Sequence, residues 1–258
     1  MDIKEILVKS ALVRSRIPGV EYVINPYLGC AHGCRYCYAV FMRKYSRHHA
    51  RAPWGSFVEV KVNLLEVLQA ELRRKKRAGT AMLASVCDPY QPVEERYRLT
   101  RGCLELLQEH GWGAEILTKS PLVLRDLDLI KSLPEVRVGF SIGTDDEEVR
   151  RLLEPRTPAI RLRLAALKTL ARAGVPTWVF AAPMLPLNPE RLAALVGPYT
   201  RGLMTDGLNY AGQVRHLYQQ RGWDYELTAE YAAATGAVLR RLFQEQAAQT
   251  EKLAKPRK

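Results

Sequence analysis

Three of the five cysteines in this 258-residue chain fall within eight positions, in the stretch Asn25-Pro-Tyr-Leu-Gly-Cys30-Ala-His-Gly-Cys34-Arg-Tyr-Cys37-Tyr38. Thiolates are soft ligands for iron and zinc. Three of them on one short loop, spaced Cys-x3-Cys-x2-Cys, can hold three irons of a [4Fe–4S] cube and leave the fourth iron free. A ferredoxin site closes all four positions, whereas catalysis at a metal needs an open one. Gly29 and Gly33 let the backbone turn tightly between the ligands. Zinc is the alternative. A structural zinc site takes four closed ligands, commonly two Cys-x2-Cys pairs, and no second pair is present.

The elements around this loop alternate. Tyr22-Val-Ile24 reads as a short strand leading into it, after a mixed, basic extension over 1–19 expected to pack across the mouth of the fold. Helical periodicity follows over 64–78, 94–110, about 121–133, 145–153 and 160–173, with another helix capped by Asn188-Pro189-Glu190. Between the helices, apolar runs at 81–86, 114–118, 136–141 and 176–182 read as buried strands, with a sixth near 203–208. A long amphipathic helix is expected from about 227 to 246, ahead of a basic tail. Short apolar strands alternating with helices imply βαβ units and a parallel sheet. Five or six units are too few for a closed eight-stranded barrel. No linker or repeat divides the chain, so one domain over 1–258 is expected, with about 20–210 as its α/β body and about 211–258 as a helical segment.

The cysteine spacing resembles the signature of the radical S-adenosylmethionine (SAM) enzymes, and its flanking residues resemble the subgroup around spore photoproduct lyase. The match continues in Val60-Lys-Val-Asn63, Asp88-Pro-Tyr-Gln-Pro-Val-Glu94, Leu117-Thr-Lys-Ser120 and Glu154-Pro155, over about residues 20 to 190. The resemblance implies an open (β/α)6 partial barrel of the TIM type. It also implies a [4Fe–4S] cluster on Cys30, Cys34 and Cys37 whose open iron binds SAM. One electron from the cluster would cleave SAM to methionine and a 5′-deoxyadenosyl radical that abstracts hydrogen from an organic substrate. A ferredoxin or flavodoxin is the expected electron donor, and the chain is expected to act as a monomer. After the sixth strand no segment resembles the lyase's lesion-inserting hairpin.

In parallel α/β barrels chemistry gathers at the C-terminal strand ends. Lys119 there is a point charge suited to the SAM carboxylate, or else an exposed lysine at a helix start. By resemblance Ser141 meets the SAM ribose, and Tyr36 and Tyr38 line the adenosine side, though backbone bonding and packing explain these three equally. Ala181 and Ala182 are small enough for adenine to lie against them. Arg163 is a candidate for SAM or a substrate phosphate, or simply a helix-face arginine. Spore photoproduct lyase carries a hydrogen-donating cysteine on strand two, where this chain has Ser85. Cys87 lies two residues on, hence on the same strand face, as a candidate hydrogen donor, iron ligand or small buried residue. Cys103, four after Leu99 on a helix, reads as core. His48 and His49 could be ligands, but paired histidines in a basic loop are more commonly solvated.

A net charge of +12 and a pI near 9.6 favour an anionic partner, above all nucleic acid. An Arg-rich solvated surface is the competing explanation, and the basic runs at 73–77 and 240–258 carry no interleaved aromatic residues. A small anionic metabolite is the other substrate class, and an iron–sulfur or zinc protein that only binds nucleic acid is the non-enzymatic one. No apolar run approaches the ~18 residues of a membrane span and the start is not a signal peptide. With clustered rather than paired cysteines, a reducing cytoplasm is expected.

Overall fold

In the computed structural model, which describes residues 1–254 and side chains through 246, the chain runs in strand–helix alternation. It begins with β1 (Asp2–Ile6), β2 (Leu12–Arg14), β3 (Tyr22–Ile24), β4 (Tyr27–Leu28), β5 (Phe57–Lys61) and α1 (Leu64–Arg73). Next come β6 (Thr80–Leu83), α2 (Glu94–Tyr97), α3 (Leu99–Glu109), β7 (Gly113–Thr118), α4 (Leu127–Ser132) and β8 (Val136–Ser141). Then follow α5 (Glu147–Leu153), α6 (Ile160–Arg172), β9 (Thr177–Ala181), α7 (Pro189–Val196), β10 (Gly202–Thr205), α8 (Arg215–Gln219) and α9 (Ala229–Ala254).

Seven strands form one sheet in the order β10-β9-β8-β7-β6-β3-β2. From β3 to β10 every neighbouring pair is parallel, and each new strand adds beside the previous one. That stepwise order, with β10 and β2 left as separate edges, is the open (β/α)6 partial barrel. Strands buried on both faces need apolar residues throughout, and Ile24, Leu83, Ile116, Val138, Phe140 and Val179 are fully buried in one core.

Three expectations change. Residues 1–19 reach the cavity mouth through Ile17 and Pro18 but also add strands: β2 pairs antiparallel with β3, and β1 pairs parallel with β5 in a separate three-stranded sheet. Four of the five β1 residues are exposed, so this strand carries no hydrophobic signal. The helix expected over 64–78 ends at Arg73, because Leu64, Leu68 and Leu72 exhaust its buried face before the lysines begin. The helix expected over 94–110 is two helices, broken at Arg98 in the left-handed conformation (φ 53°).

Glu94 explains that break. Its carboxylate is fully buried and accepts the backbone N–H groups of Thr100 (2.9 Å) and Arg101 (3.3 Å), so α2 supplies the N-terminal cap of α3. It also accepts from the Tyr27 hydroxyl and pairs with Arg125 at 2.7 Å. Glu94→Ala leaves these donors buried and unpaired and should cost about 3–5 kcal/mol. Glu105→Ala, at an exposed pair with Arg101, should cost at most about 1 kcal/mol. Urea midpoints of the two variants test the contrast, and equal shifts would refute it.

Candidate active site

The loop after β4 carries the three cysteines, and hydrogen bonds hold it from both sides. Gln91 accepts from the Ala31 N–H (2.8 Å) and donates to the Gly29 carbonyl (3.2 Å). Arg35 N donates to the Leu153 carbonyl at 2.9 Å. Gly29 has φ 91°, and a Cβ there would sit 2.5 Å from the Phe57 carbonyl oxygen. Only glycine fits that approach.

The loop closes one side of a cavity of about 670 Å³ at the C-terminal ends of the parallel strands. Cys30, Cys34, Cys37, Tyr36, Tyr38, Ser85, Cys87, Lys119, Ser141 and Ala182 all line it. The structure therefore brings these ten candidates together. Ala181 is instead fully buried in the core, and Arg163 is a correction. Its side chain is buried behind the cavity wall and spends its donors on Glu154 (2.5 Å), Thr157 Oγ1 (2.5 Å) and the carbonyls of Ser141 (3.0 Å) and Pro158 (3.0 Å).

Arg163 and Lys119 share one carboxylate. Glu154 Oε1 accepts from the Tyr36 hydroxyl and lies 3.7 Å from Lys119 Nζ. Lys119 Nζ in turn donates to Ser141 Oγ at 2.7 Å. Burial alone would raise the Glu154 pKa, but Arg163, Lys119 and the Tyr36 hydroxyl hold it down at about 2. Burial would lower Lys119, and Glu154 outweighs it, so the ammonium stays charged beside the cavity.

A second carboxylate faces it. Asp88 accepts from Thr118 Oγ1 (2.6 Å), Tyr90 N (2.9 Å) and Lys119 N (2.7 Å), and lies 3.4 Å from His32 Nδ1. Burial opposes a charge on His32, yet Asp88 raises its pKa to about 9, so the imidazolium persists at neutral pH. His32 was not singled out in the sequence, although its place between two candidate ligands was the available signal. Burial raises the Cys30 thiol, but hydrogen bonding and charge from His32 more than offset it, and the net shift is downward.

The residues fit an iron–sulfur cluster. Five free thiols are present, and three line this cavity on one loop. Burial pushes the Cys37 thiol up to about 11, and that rise is opposed by the N–H of Trp54, whose buried Nε1 has no hydrogen-bond partner. A sulfur ligand is the acceptor that would satisfy it. Among the described residues, no three His, Cys, Asp or Glu side chains converge on one metal ion.

Strand two is shorter than expected. β6 ends at Leu83, Ala84 turns with φ 61°, and 85–87 form a bend. Ser85 and Cys87 thus share the cavity through a turn, not through strand alternation. Cys87 Sγ lies 3.6 Å from the Tyr27 carbonyl, and burial, then the nearby Cys30, keeps its pKa well above the ordinary thiol value. Cys103 is fully buried in the core, as expected. His49 corrects the solvated reading: it is buried, stacks on Phe57 at 4.5 Å, and bridges Glu59 (2.9 Å) and Asp2 (3.0 Å). His48 is exposed.

Sequence reasoning missed the lower wall and far rim of the cavity. Glu115 and Arg137 pair at 2.8 Å on adjacent strands, with Met82, Trp178 and Met204 around them. Asp206, Asn209 and Tyr210 follow β10, whose boundary was placed too loosely to read its end.

A model of the radical SAM superfamily matches residues 24–197. The chain belongs to the radical SAM superfamily. It is a radical SAM enzyme, and membership implies SAM, an iron–sulfur cluster and a source of electrons. It is 34% identical over 224 residues to an uncharacterized protein of Methanocaldococcus jannaschii, covering 85% of this chain and 83% of that protein. It is 24% identical over 164 residues to a radical SAM Nalpha-GlyT isomerase of a Pseudomonas phage, covering 63% of this chain and 33% of the phage protein. A solved structure of spore photoproduct lyase with bound AdoMet and dinucleoside spore photoproduct superposes with a TM-score of 0.65, at 19% identity. That match covers 94% of this chain and 79% of the lyase, a likeness of fold. No described helix is long and apolar enough to cross a membrane.

The buried Glu154 charge sets a pH dependence. A depressed carboxylate stabilises the fold above its ordinary pKa, 4.5, and that stabilisation is lost as pH falls towards about 2. Glu154→Gln should be less stable at neutral pH by about 3–5 kcal/mol, because Arg163 and Lys119 lose their counter-charge. It should also lose less on acidification. Urea titrations of iron-free protein between pH 7 and 2 measure both, and an unchanged acid slope would show that Glu154 is not the group that titrates.

Proposed function

We propose that this enzyme holds a [4Fe–4S] cluster on Cys30, Cys34 and Cys37 and abstracts hydrogen from a modified or damaged nucleotide. The observation that carries the reading is the convergence of the three thiols, Lys119, Ser141 and Cys87 on one cavity at the parallel strand ends. When bound, the cluster supplies one electron that cleaves SAM and so delivers a 5′-deoxyadenosyl radical. The protein's own part is positioning. Lys119 presents a fixed positive charge to the SAM carboxylate, and its bond to Ser141 leaves the serine hydroxyl hydrogen free to donate to the ribose. Tyr36 and Tyr38 are pinned through their hydroxyls to Glu154 and the Ser85 carbonyl, so their rings form a fixed wall for adenosine. Ala182 lines the same cavity with a side chain small enough for adenine to lie against.

A nucleotide substrate is supported by the net charge of +12 and by the dinucleoside spore photoproduct bound in the lyase structure whose fold this chain resembles. The chain acts as a single-domain monomer in a reducing cytoplasm and draws electrons from a ferredoxin or flavodoxin. Cys87 lies outside the three-thiol loop but lines the same cavity, with its Sγ 3.6 Å from the Tyr27 carbonyl. We read it as the hydrogen-atom donor to a substrate radical, beside a cluster held by the three loop thiols.

Anaerobic reconstitution should load four irons, with alanine at Cys30, Cys34 or Cys37 abolishing the cluster signal. Lys119→Met should retain iron but weaken SAM about 10- to 100-fold, the loss of a charge-assisted hydrogen bond. Stable zinc with no iron uptake would sink the proposal. Cys87→Ala should keep both the cluster and SAM cleavage while blocking completed turnover or changing the product. Cys103→Ala should affect stability alone. A Cys87→Ala enzyme with unchanged product would return this thiol to a packing role.

A further inference from the structure

The segment after Cys37 is the most basic and least buried part of the active-site loop, and neither property serves the cluster. Between Leu28 and Glu59 the chain has no acidic residue, while Arg35, Arg43, Lys44, Arg47 and Arg51 all fall there. Three aromatic rings of the same segment face solvent: Tyr38 is 48% exposed, Phe41 41% and Tyr45 59%. Lys44 Nζ lies between two of them, 5.9 Å from the Phe41 ring centroid and 5.0 Å from that of Tyr45. Rings and cations therefore alternate on one surface. The basic run at 73–77 offers one ring, Tyr22, already packed edge-on against Trp112.

This surface is held in place before any partner arrives. Ser46 N donates to the Arg43 carbonyl (2.9 Å), and its hydroxyl donates to buried Glu59. His49 N donates to Ser46 Oγ at 2.6 Å, and the His49 ring bridges Glu59 and Asp2. Of the two carboxylates packed against the segment, Glu59 is buried and Asp2, though exposed, is bonded to His49. Among the described residues neither forms an ion pair with the segment's lysine or arginines. At the other end the Tyr38 hydroxyl is fixed to Ser85, and Tyr38 and Tyr210 together line the cavity mouth. The surface leads into the reaction chamber.

We propose that residues 38–51 form a docking surface for single-stranded nucleic acid, with bases stacking on Phe41 and Tyr45 and phosphates meeting Lys44, Arg47 and Arg51. Exposed rings separated by cations are what sequence-tolerant strand binding uses: every base has a face to stack, and every linkage a charge. An acidic protein would meet the cations but give the rings no stacking partner. Anchoring both ends of the segment lowers the ordering cost of binding. The inference rests on the nucleotide reading of the substrate and names how that substrate is delivered.

The test is fluorescence anisotropy of reconstituted, SAM-loaded protein with labelled single-stranded DNA and RNA of about 16 nucleotides across a salt series. Phe41→Ala and Tyr45→Ala should each weaken binding about 5- to 150-fold. Lys44→Gln with Arg47→Gln should reduce the slope of log affinity against log salt by about 1.4. All four side chains are exposed or solvent-facing, so iron content and dithionite-driven SAM cleavage should stay unchanged. Unchanged strand affinity in both sets of variants would overturn the proposal. So would a loss confined to reduction by ferredoxin or flavodoxin, which would make this the donor's dock. Wild-type protein that binds strands through these residues but cleaves no SAM would sink the enzymatic reading and leave the docking surface standing.

Discussion

One buried carboxylate organises the cavity. Glu154 is almost without solvent contact, and its two oxygens are divided among Tyr36 of the cysteine loop, Lys119 at the end of β7, and Arg163 of α6. Arg163 carries the link on to the Ser141 carbonyl at the end of β8. Charges buried together persist only when each is paired and its remaining hydrogen bonds are made. That requirement fixes four separate segments relative to one another. Without it, a glycine-containing loop with three thiols would be free to wander from the strands that carry the rest of the site.

Asp88 repeats the arrangement on the other side, and Lys119 joins the two. Its backbone N–H belongs to Asp88, while its ammonium faces Glu154 and Ser141. The side chain is thereby held between the two carboxylates with little rotamer freedom left. His32 ties Asp88 back to Cys30, so each carboxylate holds the cysteine loop through a different residue, one before and one after Cys34. Ligand geometry in such a site follows from supporting hydrogen bonds as much as from the ligands themselves.

Much of this was legible in the sequence, and the exceptions share a cause. The parallel strands carry continuous apolar runs, so β7, β8 and β9 fall within a residue or so of their expected bounds, and strand-end logic then collects ten candidate residues in one cavity, Arg163 and Ala181 excepted. What failed depended on polar tertiary contacts that periodicity does not encode. Arg163 sits on a helix at a spacing that looks exposed, yet a carboxylate nine residues earlier draws it inside. The break at Arg98 depends on where the Glu94 side chain goes. His49 is buried because Asp2 and Glu59 converge on it from two strands of the smaller sheet, one of which has no apolar pattern. The basic C-terminal run beginning at Arg240 was also noted in the sequence; residues 255–258 and the side chains from 247 lie outside the described residues.

The lower half of the cavity follows from a single missing Cβ. Trp178 on β9 lies across β8 at Gly139, where a Cβ would fall 2.3 Å from the indole ring. Any larger residue at 139 must push the indole away from β8, and its buried Nε1 already lacks a partner there. The tryptophan sits beside Phe180, Met82 and Met204, and these close an otherwise apolar chamber that the Glu115–Arg137 pair lines on one side. The charged strand ends above and this wall below differ in character because they answer different constraints. The upper end must fix ions and therefore pairs every charge. The lower end needs a defined volume, which the Trp178 and Phe180 rings over Gly139 provide, with the indole Nε1 left buried and unpaired.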